Sequence, residues 1–151
     1  AELVTLLVKH SEVEEQVFYP AVHEGVPGQQ DEVDESLEEH HAAEFLLAEL
    51  DGMSSDHTRY DMKVHVLAEI VTHHLEEEEE DLFPAVREAL SEERLREIGG
   101  GMVAAWDVSP IRPHPLSPQT PPANVLMGIP ATVWDLSVSF GRMLRRRVLR
   151  R

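Results

Sequence analysis

The tightest constraint in this chain is a polar pair placed where apolar residues belong. Leu67, Val71, His74 and Glu78 are spaced four, three and four apart. That spacing marks one face of a helix, the stripe that meets a partner helix. A histidine and a glutamate therefore sit one turn apart in a packing seam. A buried carboxylate is costly unless it is paired or bound to a metal. The surrounding run Glu76 to Glu80 has the look of a solvated charge block, yet among its five glutamates only Glu78 falls on the seam.

The same arrangement occurs twice more. Leu3, Leu7, His10, Glu14 and Val17 form one stripe, and Val33, Leu37, His40, Glu44 and Leu47 another. Counted from the histidine, all three stripes share one set of offsets. This register selects His40 over His41 and His74 over His73; the neighbours His41 and His73 are turned about 100° away, as flank groups. By the same count Glu15, Glu77 and Glu79 lie off the seam.

Three such seams converge only if their helices pack side by side. The expected fold is all-α, an up-down bundle with short connections. The pattern predicts helices over 1–19, 31–50, about 57–83 and 91–98. Tyr19 and Phe83 each precede a proline, which should bend or end the helix there. Ser54-Ser55-Asp56 can cap the third helix, and Gly99-Gly100-Gly101 should close the short fourth one. The chain then divides into a bundle (1–98), a Gly/Pro-rich linker (99–123) and a basic amphipathic helix (124–151). The linker holds all six prolines between 108 and 122, and the helical pattern begins beyond Pro130, with Val133, Leu136, Phe140 and Leu144 on one face.

His10, Glu14, His40, Glu44, His74 and Glu78 are thus the candidate metal ligands. There is no cysteine, so disulfides and thiolate sites are excluded. Imidazole and carboxylate without thiolate suit iron, manganese or zinc, and carboxylates can bridge two ions. No separate acid–base group or substrate cleft is visible, so no catalytic residue is assigned.

Charge is uneven. Residues 1–98 carry 27 acids against six Lys/Arg, and residues 99–151 two acids against seven arginines. The acidic part should repel nucleic acid and attract cations. The basic tail is expected to dock on the acidic bundle, contact with an anionic membrane being the minority reading. No apolar run of spanning length and no signal-peptide pattern appears, so a cytoplasmic location is expected. The chain opens without methionine inside a helical pattern, which suggests that an N-terminal segment is missing.

His10-Ser-Glu-Val-Glu14-Glu-Gln-Val-Phe-Tyr-Pro20 resembles the second helix of the hemerythrin-like, HHE cation-binding family. Glu39-His40-His41 is similar to its third helix, and His74 to Glu78, running on to Leu82-Phe83-Pro84, to its fourth. The resemblance covers roughly residues 1–90. It implies a non-haem di-iron centre inside a four-helix bundle, with His10, His40 and His74 as terminal ligands and Glu14 and Glu78 as bridges. Glu44 matches the place where true hemerythrins carry a second histidine on that helix. The family's first helix, which supplies one more histidine, has no counterpart here. An absent N-terminal segment, a second copy of the chain in a homodimer, or the C-terminal helix is expected to cover that side. The function implied is binding or sensing of dioxygen, or iron handling. The alternative is a di-iron redox enzyme acting on peroxide, oxygen or nitric oxide.

Overall fold

The computed structural model describes residues 2–116. All regular structure among them is helical. The order is α1 (Glu2–Val13), a π-turn (Glu14–Phe18), α2 (Tyr19–Gly25), α3 (Gln30–Asp51), α4 (Tyr60–Glu77), a second π-turn (Glu78–Leu82), α5 (Phe83–Ala89) and α6 (Glu92–Val108). The C-terminal amphipathic helix and the end of the linker lie outside the described residues.

Neither Tyr19-Pro20 nor Phe83-Pro84 ends its helix. Proline lacks an N–H, and its ring crowds the carbonyl four residues back. Here one extra residue is wound into the preceding turn. The Tyr19 N–H donates to the carbonyl of Glu14, five residues back, and the Phe83 N–H to that of Glu78. Both prolines then sit in the first turn of the next helix, where no N–H is required. The two segments repeat one pattern, Glu14-Glu-Gln-Val-Phe-Tyr-Pro20 and Glu78-Glu-Glu-Asp-Leu-Phe-Pro84. Each π-turn begins at a seam glutamate, in keeping with the occurrence of π-bulges at functional sites.

Side-chain pairings fix the directions of the long helices. Glu15 meets His40, while Val8 packs with Ala43 and Leu47 further along α3. Glu39 meets His73, and Glu49 pairs with Lys63 nearer the start of α4. Hence α3 runs antiparallel to both α1 and α4. One apolar cluster, built on Phe18, Tyr19, Val22, Leu82, Val86 and Ile98, lies at the proline end. A smaller one, built on Val8, Ala43, Leu47 and Leu67, lies at the other end. The polar seam residues fall between them.

Two element boundaries differ from expectation. The third long helix starts at Tyr60, after turns through Ser54 to Arg59, and its first residues have no side-chain cap. More consequentially, α6 does not stop at Ile98. Ser91 caps it, accepting from the Arg94 N–H, and it continues through all three glycines to Val108. Residues 99–108 are therefore helix rather than linker. Glycine weakens a helix by about 1 kcal/mol relative to alanine, which packing can offset. A Cβ on Gly101 would stand 3.0 Å from Val17 Cγ1, whereas Gly99 and Gly100 face open space. Gly101 thus lets α6 approach the first π-turn closely.

This helix lies antiparallel along α1. Arg94 reaches Glu24, Gly101 meets Val17, Lys9 donates to the Trp106 carbonyl, and the Thr5 hydroxyl donates to the Ile111 carbonyl. Ile98 and Met102 add to the proline-end cluster. So the bundle gains a fourth long helix from a segment assigned to a linker. Leu3 and Leu6 of α1 and Val64 and Leu75 of α4 remain exposed.

The packing generates a stability prediction. Gly99→Ala and Gly100→Ala should each stabilise by about 0.5–1 kcal/mol. Gly101→Leu should destabilise by about 1–3 kcal/mol, because the added side chain must displace Val17. Thermal denaturation of the three variants checks this; equal behaviour at all three positions would contradict the close approach.

Candidate metal centre

His10, Glu14, His40 and His74 each place one ligand atom within 4.8 Å of the others. Glu14, His40 and His74 are almost fully buried, and His10 is partly so. Glu78, the most buried of the acids at 2% exposure, stands beside the group with Oε2 3.6 Å from His74 Nε2. His10 Nδ1 lies 3.1 Å from Glu14 Oε1, and Glu14 Oε2 lies 3.4 Å from His40 Nε2. Three buried atoms in this space have no hydrogen-bond partner: His10 Nε2, Glu14 Oε2 and Glu78 Oε2. Orphaned buried acceptors are rare, because each carries its desolvation cost uncompensated. Converging imidazole nitrogens and carboxylate oxygens left without donors are what a cation site requires, so the donor set fits a metal ion.

The imidazoles are oriented from outside. His40 Nδ1 is 3.1 Å from Glu15 Oε1, and His74 Nδ1 is 3.2 Å from Glu39 Oε2. An ionised carboxylate only accepts, so each Nδ1 carries the proton and each Nε2 is turned inward. The two inward nitrogens are 3.2 Å apart. Two lone pairs cannot face each other so closely without a positive charge between them. In the metal-free chain a proton serves. Burial works against charging His40, but the adjacent Glu14 and Glu15 carboxylates outweigh it and push the imidazole up to about 9. Burial, with His40 and His10 nearby, pulls His74 down to about 3. The proton therefore rests on His40 and is shared towards His74. Burial and the Glu14 carboxylate push Glu78 up to about 8.

Two sequence expectations need correction. Glu44 does not join the group. Its Oε1 accepts the His114 N–H. The three-stripe template ignored direction. Because α3 runs opposite to α1 and α4, four residues beyond His40 leads away from Glu78. The buried α3 residue on the Glu78 side of His40 is Ser36. Glu15 is not a flank group either. It is 7% exposed and bonded to His40. Only Glu14 and Glu15 head a π-turn that packs both neighbours inward; Glu79, in the corresponding place on the second turn, is exposed. By contrast, His73 is on the surface, and His41 stacks edge-on against Phe45.

Tyr19 escaped the sequence reading. Its hydroxyl donates to Glu78 Oε1 at 3.0 Å and lies 3.4 Å from His40 Nε2. The available signal was the repeated proline motif, in which Tyr19 takes the place of Phe83.

The geometry generates two predictions. Glu14→Ala and Glu78→Ala should each remove most bound metal. Glu15→Ala and Glu39→Ala should weaken metal binding by about 10–100-fold through loss of imidazole orientation. Glu44→Ala should leave it unchanged. Equilibrium dialysis of the five variants checks the order. The pH dependence has a definite sign. His40 and Glu78 are both raised, so their protonated forms stabilise the metal-free fold, and that contribution is lost as pH rises through about 8–9. His74 is lowered to about 3, so its contribution changes only below the ordinary histidine range. The metal-free Tm should fall from pH 7 to 9. A bound cation replaces those protons, so the loaded Tm should fall less and loading at pH 7 should release protons.

Comparison with known proteins bears on this site. The hemerythrin HHE cation-binding domain model matches residues 1–86, which end before α6. An uncharacterised hemerythrin-like protein of Schizosaccharomyces pombe is 26% identical over 135 residues, covering 89% of this chain and 66% of that protein. A DNA nickase of Nostoc sp. is 34% identical over 91 residues, covering 60% of this chain and 25% of that one. The chain thus spans under two thirds of the length of either relative. No solved structure matches. Over more than half its length, and through every residue of the converging group, the chain belongs to the hemerythrin HHE cation-binding domain family.

Proposed function

We propose that this protein binds iron between α1, α3 and α4 and uses it to bind or sense dioxygen or a molecule of similar size. The observation that carries the reading is the cavity beside the ligand group. It is lined by Leu7, Ala43, Leu47, Ile70 and Val71 together with His10, His40 and His74. Its volume is about 20 Å³, little more than the space that holds one water. A diatomic molecule is of that scale; an organic substrate is not. The aliphatic part of the lining limits the water beside the ligands, which favours reversible binding over hydrolytic release.

Iron in this place would supply reversible binding of dioxygen. The chain's own residues supply the rest. Glu15 and Glu39 hold the His40 and His74 rings, and the Tyr19 hydroxyl holds Glu78 through Oε1. His10, Glu14, His40 and His74 suffice for one ion, with Glu78 as the carboxylate that reaches towards a second. Ligands for a second ion are fewer, so iron per chain should lie below two by elemental analysis.

The neighbouring reading is a redox enzyme on peroxide, oxygen or nitric oxide, and the Nostoc relative is a nickase. That protein extends far beyond the matched part, and nothing in the cavity accommodates a nucleic-acid strand. The test is the visible spectrum of the iron-loaded protein through cycles of oxygenation and deoxygenation. A charge-transfer band that appears with oxygen and vanishes on its removal is expected. Steady consumption of peroxide without a returning band would favour the enzyme.

A further inference from the structure

A second ligand set lies on the outside of the same two helices. Glu35 of α3 and His73 and Glu77 of α4 each bring a ligand atom within 4.8 Å of the others. His73 Nε2 is 3.2 Å from Glu77 Oε1. The pair repeats the His-x-x-x-Glu spacing of His74 and Glu78, one residue earlier, so it presents the same chelating pair on the solvent side of α4. The set borders a groove of about 510 Å³ between α3 and α4, lined by Glu35, Glu38, Glu39, Glu69, Ile70 and His73. Among the described residues no lysine or arginine ion-pairs with these carboxylates. Among the described residues Glu39, Glu69 and Glu77 pair with histidines instead.

The groove is joined to the interior. Glu39 and Ile70 line both it and the inner cavity. One oxygen of Glu39 lies 3.2 Å from His74 Nδ1, and the other 3.8 Å from His73 Nε2. A single carboxylate therefore touches a histidine of the inner group and a histidine of the outer one.

We propose that Glu35, His73 and Glu77 form an outer divalent-cation site that captures metal from solution and passes it inward past Glu39. The capture site stands on its own geometry; the transfer rests on the inner group being the metal centre. Carboxylate and imidazole ligands on a strongly acidic face favour capture of a hydrated divalent ion, and like-signed clefts concentrate counter-ions. Glu39 can swing from His74 to the outer ion, and the ion then exchanges water for inner ligands.

The test uses the full chain and cobalt(II) alone, followed by its visible absorption. With His73→Ala/Glu77→Gln, loading of the inner group at limiting cobalt should slow by about tenfold or more, while the amount bound at saturation in the tight site stays unchanged. In a chain disabled inside by His10→Ala/Glu14→Gln, one weaker cobalt should remain and should vanish when His73→Ala is added. An unchanged loading rate, or a residual cobalt that survives His73→Ala, overturns the proposal. The inner reading fails separately if His10→Ala/Glu14→Gln keeps the tight cobalt. Loss of one weaker ion on His73→Ala alone then still supports the outer site. The outer residues are largely exposed, and circular dichroism verifies that the variants fold.

Discussion

Glu14 and Glu78 are withdrawn from water, and among the described residues no lysine or arginine pairs with them. Charges so placed are tolerated only with compensation close at hand. Three imidazoles stand around the two carboxylates, and with His40 protonated they supply one positive charge. The remaining imbalance is visible as acceptors without donors and as a Glu78 carboxyl held up to about 8. A divalent cation resolves both at once, because it offers charge and vacant coordination in the same place. The apolar clusters on either side raise the requirement, since they remove the water that would otherwise screen the acids.

Backbone geometry serves this centre in two ways. The π-turns carry each proline through its helix and begin at the two seam glutamates. Antiparallel packing then sets which offsets meet. Glutamates four residues beyond a histidine share a depth on α1 and α4, which run the same way, and miss it on α3. The result is a centre with carboxylates from two helices and, from the helix between them, His40 with Ser36 behind it. The positioning carboxylates come from different elements, Glu15 from the first π-turn and Glu39 from α3.

The family match and the fold are not coextensive. The matched residues end within α5, while α6 packs along α1 and brings Ile98 and Met102 into the core. A close contact at Gly101 makes that packing dense. Helix α6 is thus an integral part of the bundle, and the short segment after it returns across α1 and α3, where Thr5, Arg112 and His114 tie it down.

Much of this was legible in the chain itself. Helical periodicity identified His10, His40 and His74, and chose His40 and His74 over their histidine neighbours, because a 100° step per residue separates a seam from its flank. It also singled out Glu14 and Glu78. What periodicity lacks is direction and company. Spacing along a helix is the same read from either end, so it could not tell that Glu44 points away from the carboxylate level. It registers faces, so Glu15, buried by a widened turn, and Tyr19, acting through a hydroxyl at the far tip of its ring, were invisible to it. Three glycines read as a stop because glycine lacks helical preference on its own, and only the surface of Val17 against Gly101 supplies a reason to continue. The sequence by itself determined an all-α chain with three histidine–glutamate seams. The tertiary structure decided which of those groups meet, since depth within a bundle depends on the direction of each helix and on the partner against which it lies.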